Sequence, residues 1–241
     1  MSHSDSQTHI KTEWIEITAE DGKTFKAYQA LPHKGKGPGI VLIQEIFGVN
    51  GHMRGVAEQY AMDGYSVIVP DMFWRDEPGV ELGYDGDDWK EAVAHKQALD
   101  YPTAISDLRA ATKALRASPV CDGPVASVGY CMGGVLSYLC GLDAGVDAAI
   151  CYYAGGITEY LPRADELKVP AQFHFGAEDD HIPLEHVEQT RQAFAGNDDI
   201  EVHLYDGAEH GFNCWARASY NQHASALAHG RTLTFLASHA Q

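Results

Sequence analysis

Apolar positions along the chain fall into two rhythms. Short apolar-rich runs at Gly39 to Ile43, Tyr65 to Val69, Val125 to Val128, Ala148 to Tyr153, Ala171 to Phe175 and Ile200 to Tyr205 have the length of strands. Gly39 to Ile43 is unbroken by polar residues, which fits a strand covered on both faces, as in a mainly parallel sheet. Between them, helices are predicted over about His52 to Met62, Asp88 to Leu99, Pro102 to Ala117, Met132 to Leu139, Leu184 to Phe194 and Ser219 to Leu236. Ile105, Leu108, Thr112 and Leu115 share one helical face, with Pro102 in the first turn. Ahead of these elements, Glu13 to Ile17 and Thr24 to Leu31 flank an Asp21-Gly22 turn and read as a hairpin. The alternation predicts an α/β protein: a mainly parallel twisted sheet with helices on both faces and an N-terminal antiparallel hairpin. Residues 1–11 read as a flexible polar tail and 12–241 as one domain.

Composition narrows the classes. With 45% hydrophobic and 21% charged residues the chain is ordinary globular material, and no apolar run is long enough to span a membrane. The opening MSHSDSQTHIK lacks the basic and apolar segments of a signal peptide, so a cytoplasmic protein is expected. A formal charge of −17 argues against nucleic acid, whose phosphates need a basic surface. Part of that charge lies in Asp76 to Asp88, a solvated loop at a strand end, where it can also rim a ligand site. Five cysteines with no CxxC pair read as free thiols. The thirteen histidines include no HExxH, and His174, His181 and His186 have no familiar ligand spacing, so no metal is expected and most are placed at the surface.

The chemistry gathers at Gly129-Tyr130-Cys131-Met132-Gly133, a G-x-S-x-G nucleophile elbow carrying a thiol in place of the hydroxyl. A strand turning sharply into a helix brings backbones so close that a Cβ beside the nucleophile clashes, which explains the glycines. A thiol nucleophile needs a base, and the base needs an orienting acid. The predicted strand 171–175 runs into the carboxylates Glu178, Asp179 and Asp180, and the strand 200–205 into Glu209-His210-Gly211-Phe212. His210 is the obvious base, and the order nucleophile, acid, histidine is the one this kind of elbow uses.

These motifs, together with Gln44-Glu45-Ile46-Phe47-Gly48-Val49-Asn50, Val69-Pro70-Asp71, the doublet Gly133-Gly134 and the stretch Gly176 to Pro183, resemble the dienelactone hydrolase (carboxymethylenebutenolidase-like) family of α/β-hydrolases over roughly Thr24 to Leu236. The resemblance implies an α/β-hydrolase fold, with Cys131 as nucleophile, His210 as base and Asp179, four residues before Pro183, as orienting acid; Asp180 ranks next and Glu178 last. It also implies that Glu45 holds or withholds the thiol proton and that the Ile46 and Met132 N–H groups form an oxyanion hole. The implied activity is cofactor-independent opening of a small-molecule lactone or enol ester through a thioester, by a monomer or homodimer without membrane or nucleic-acid partners. A thioester forms readily when an enolate leaves, which favours activated esters over peptides.

One position departs from the family pattern: the arginine four residues past the catalytic histidine, which helps hold a substrate carboxylate, is Cys214 here. Arg217 and Arg75 are the substitutes, and Phe47, Trp89 and Phe212, with Phe73, Trp74 and Trp215, are candidate pocket aromatics. The rival readings are a broader carboxylesterase or thioesterase, and a hydrolase-like binding or thiol-redox protein. The redox reading lacks an adjacent resolving cysteine.

Overall fold

The aliphatic runs lie side by side in one sheet of the computed structural model, which describes residues 10–239. The strands are β1 (Lys11–Thr18), β2 (Thr24–Leu31), β3 (Gly37–Ile43), β4 (Ser66–Pro70), β5 (Cys121–Tyr130), β6 (Ala148–Tyr152), β7 (Ala171–Gly176) and β8 (Ile200–Tyr205), ordered β1-β2-β4-β3-β5-β6-β7-β8. β1 pairs antiparallel with β2, and β2 with β4; the remaining neighbours are parallel. The helices are α1 (Gly51–Met62), α2 (Gly86–Ala98), α3 (Tyr101–Ala117), α4 (Met132–Asp143), α5 (Leu184–Ala193) and α6 (Gln222–His239). Ile40, Val41, Leu42 and Ile43 are all fully buried although successive side chains point to opposite faces. Both faces of the sheet are therefore covered, as the unbroken apolar runs require.

Several expectations are corrected. Lys11 already pairs with Leu31 in β1, so it belongs to the hairpin rather than to a tail; the rest of that predicted tail, apart from Ile10, lies outside the described residues. The last helix starts three residues later than expected, at Gln222, because a run of turns fills the space after His210. Residues Ile157–Glu159 and Leu161–Glu166 form 3₁₀ turns that periodicity had not marked. His52, His95, His174 and His210 are buried, whereas the other seven described histidines are at least partly exposed. His174 shows how such burial is tolerated: its Nδ1 meets the Tyr205 hydroxyl at 2.8 Å and its Nε2 the Gln172 Oε1 at 2.8 Å. No helix among the described residues is long and apolar enough to cross a membrane.

The junction of β5 and α4 is the tightest point of the fold. A Cβ at Gly129 would overlap the Gly133 carbonyl, one at Gly133 would overlap the Ile43 and Gln44 carbonyls, and one at Gly134 would come within 2.6 Å of the Tyr152 oxygen. These obstacles are backbone atoms of closely packed segments and cannot swing aside. Gly133→Ala is accordingly expected to cost about 3 kcal/mol of stability, the upper range for overpacking. Urea denaturation measures this, and an unchanged midpoint would contradict it.

Candidate active site

Cys131 sits between β5 and α4 with φ 56° and ψ −115°, in the left-handed half of backbone space where non-glycine residues are strained. The surroundings hold it there: its N–H donates to the Tyr152 carbonyl at 3.0 Å, and its own carbonyl accepts from Gly134 N–H at 2.9 Å. The turn leaves the sulfur 3.1 Å from His210 Nε2, while His210 Nδ1 lies 2.8 Å from Asp179 Oδ2. Asp179 is in turn fixed through its Oδ1, which accepts the N–H groups of His181 at 2.8 Å and Ile182 at 3.0 Å. Of the three carboxylates that follow β7, the one four residues before Pro183 is thus the one facing the imidazole, and its side chain is completely buried. Burial by itself would depress the basicity of His210. The neighbouring Cys131 sulfur and the Asp179 carboxylate outweigh that effect and push its pKa up to about 10.

Glu45 and Arg217 face each other beside this chain of groups, with Nη1 3.5 Å from Oε1. Glu45 is 1% exposed, and burial raises its pKa, opposed by the charges of Arg217 and His210. Among the described residues its Oε2 has no hydrogen-bond partner, and the similarly unpartnered Tyr153 hydroxyl approaches Glu45 without reaching hydrogen-bond geometry. The carboxylate is therefore held by one cation at long range, in a position to change partners. Gly211, at φ +78°, makes room for this pair: a Cβ there would overlap the Arg217 guanidinium. His52 and Cys214 approach Glu45 closely enough for the three to offer ligand atoms within 4.8 Å of one another. Burial depresses His52 to about 4 and raises Cys214 to about 12, and Arg217 already supplies the positive charge at Glu45. A cation would have to displace that arginine, so these residues fit an ion poorly.

A cavity of about 490 Å³ opens onto the thiol. Ile46, Phe47, Trp89, Cys131, His210 and Arg217 line it, with Val93, Lys96, Gln97 and His181. Ile46 thus lies in the cavity wall and Met132 opens α4; neither backbone N–H has another acceptor among the described residues. Two expected pocket residues are elsewhere. Phe212 is fully buried against Tyr153 and Tyr205, with ring centroids 5.3 Å away in both cases, and packs the floor behind the cavity. Arg75 makes a bidentate pair with Asp107, at 2.8 and 2.7 Å, and a third bond to Asp21 at 2.7 Å, so its guanidinium is committed outside the cavity. Of the further aromatics, Trp74 stacks on Phe25, Phe73 on His95, and Trp215 meets His52 edge-on. Lys96 and His181 were missed by the sequence reading. The i, i+4, i+7 spacing of Trp89, Val93 and Lys96 was the available signal, because it aligns them on one face of α2.

A mostly parallel eight-stranded sheet with a strained elbow after its central strand is the architecture of an α/β-hydrolase. Comparison with known proteins narrows the class. The chain belongs to the dienelactone hydrolase family, whose model matches residues 25–240, and it is a hydrolase acting on ester bonds. A carboxymethylenebutenolidase of Pseudomonas putida is 38% identical over 228 residues, covering 94% of this chain and 96% of the relative. One from Cupriavidus pinatubonensis is 32% identical, covering 92% and 95%. Among solved structures, a Klebsiella pneumoniae protein described as a candidate dienelactone hydrolase superposes with a TM-score of 0.84 at 28% identity, over 95% of this chain and 99% of that one.

Proposed function

We propose that the chain opens a small carboxylated lactone or enol ester through a thioester on Cys131. The observation that carries this reading is the contact of the Cys131 sulfur with His210 Nε2 at 3.1 Å, backed by Asp179 at 2.8 Å. With the imidazole holding the thiol proton, the thiolate attacks the ring carbonyl, and the Ile46 and Met132 N–H groups receive the oxyanion. Collapse expels the enolate, which takes the proton from His210 Nε2. The neutral imidazole then draws a proton from water, hydroxide attacks the thioester, and the thiolate leaves as the acid is released.

Charge supports a substrate carboxylate. The protein carries −17 overall, yet the cavity wall holds Arg217 and Lys96 and no carboxylate. The Arg217 Cζ lies 5.8 Å from the Phe47 ring centroid and 5.8 Å from that of Tyr84, and its planar guanidinium suits a planar anion. The name carried by the Pseudomonas putida relative denotes an unsaturated lactone with a carboxyl-bearing arm, and supports the same substrate class. On arrival of the substrate, Arg217 turns from Glu45 to the incoming carboxylate, and Glu45, relieved of its cation, becomes free to take up a proton.

The test compares a carboxylated lactone with its neutral methyl ester. Arg217→Met is expected to lower kcat/KM for the acid at least about tenfold more than for the ester, equivalent to 1.4 kcal/mol. An equal loss on both substrates would remove the carboxylate and leave a neutral ester as the preferred substrate.

A further inference from the structure

Helix α2 forms one wall of the cavity yet is thinly anchored. Of its thirteen residues, Ala92 and His95 alone are buried. Trp89, Val93, Lys96 and Gln97 face the cavity. At about 100° per residue, Glu91 and His95 fall on the opposite side of the helix. There the buried His95 ring stacks on Phe73, with centroids 5.2 Å apart, and its Nδ1 meets Asp76 Oδ2 at 2.8 Å. Its Nε2 is buried and has no hydrogen-bond partner among the described residues, and His95 as a whole is 7% exposed. That nitrogen points at two carboxylates that stop short of it: Glu91 Oε1 at 3.8 Å and Glu77 Oε2 at 4.0 Å.

We propose that His95, Glu77 and Glu91 form a divalent-cation site, with Zn²⁺ the best-fitting ion, that ties α2 to the turn following β4. Asp76 fixes the ring and its tautomer: an Nδ1–H donated to a carboxylate turns the Nε2 lone pair outward, which is the usual support for a metal-bound histidine. An imidazole nitrogen with two carboxylate oxygens suits Zn²⁺ and excludes the all-oxygen preference of Ca²⁺ and Mg²⁺. Ligands about 2.0–2.2 Å from tetrahedral zinc lie about 3.4 Å from one another. The observed 3.8 and 4.0 Å gaps close with movements of a few tenths of an ångström. The two glutamate side chains are 65% and 52% exposed and are free to make that movement. Water completes the coordination, since both carboxylates border solvent. The sequence reading expected no metal because it weighed HExxH and the spacing of His174, His181 and His186. The Glu91–His95 pair lies at i,i+4 on one helix, and its third partner becomes apparent only when the turn after β4 folds beside it.

The experiment uses the chelator-treated full chain and Zn²⁺ as the probe. Calorimetric titration is expected to show one Zn²⁺ per chain in a site that weakens about tenfold or more in His95→Asn and in Glu91→Gln. The second variant changes an exposed side chain and guards against misfolding of the first. Zn²⁺ should also slow amide exchange in residues 86–98 of the wild type and leave both variants unaffected. Cys214→Ser, which removes a ligand atom from the cluster around Glu45, should bind Zn²⁺ normally. The proposal is overturned if the wild type binds no Zn²⁺, if binding is undiminished in His95→Asn and Glu91→Gln, if Cys214→Ser loses it in their place, or if exchange in α2 does not respond to Zn²⁺.

Discussion

Cys131→Ala is expected to lower kcat/KM for lactone or ester hydrolysis by about 10⁴-fold or more, the scale on which loss of a nucleophile acts in related machinery. The prediction separates chemistry from folding. Alanine retains the Cβ and the strained backbone of the elbow, and the hydrogen bonds that hold it, from Cys131 N–H to the Tyr152 carbonyl and from Gly134 N–H to the Cys131 carbonyl, are made by the main chain. The variant should therefore unfold at the wild-type urea concentration while failing to turn over. A second readout comes from the base. With the sulfur beside it, His210 titrates near 10; without the sulfur, burial depresses it and the imidazole should lose its proton at lower pH. Following the imidazole ring protons by NMR across the titration measures this directly. Hydrolysis at a wild-type rate in the alanine variant would remove the thioester route.

The second large effect is expected at Asp179. Asp179→Asn should cost about 10⁴-fold in kcat, as in other hydrolases where the orienting carboxylate becomes an amide. An asparagine Oδ1 can still accept the His181 and Ile182 N–H groups, so the loop after β7 survives. The amide NH₂ then faces His210 Nδ1, which must become an acceptor. The ring proton is thereby moved to Nε2, the atom that receives the thiol proton on the proposed route. The histidine also loses a neighbouring negative charge, so its titration should shift downward from about 10 in this variant too. A variant with normal kcat and an unmoved histidine would show that Asp179 merely holds its own loop.

The parts of this molecule that were legible in the sequence are those where a local requirement leaves a local mark. The central strands are buried on both sides and so appear as unbroken aliphatic runs. The elbow needs missing side chains at fixed offsets, and Gly129 and Gly133 supply them. Direction in space is not encoded that way. Arg75 and Arg217 are equally plausible cations in one dimension, but Asp107 and Asp21 capture the first while Gly211 makes room for the second. Phe212 lies two residues from His210, yet its ring turns inward against Tyr153. Which histidines are buried is hidden for a related reason: the partners that make burial tolerable, such as Tyr205 for His174, come from other strands. Lys96 faces the cavity because α2 packs with one particular face inward, and a helix with so few buried residues carries too weak a periodicity to reveal it.

The sheet also serves as a ruler for the candidate triad. β7 and β8 are paired in register up to Gly176 and Tyr205, so Asp179 and His210 begin three and five residues beyond a matched pair. A slip of β8 by one residue would carry the imidazole about 3.3 Å along the strand and turn every side chain of β8 to the other face. The 2.8 and 3.1 Å contacts around His210 are consequently set by strand pairing deep in the molecule. Substitutions that loosen the β7–β8 pairing, far from any substrate, should detune the site before they unfold it.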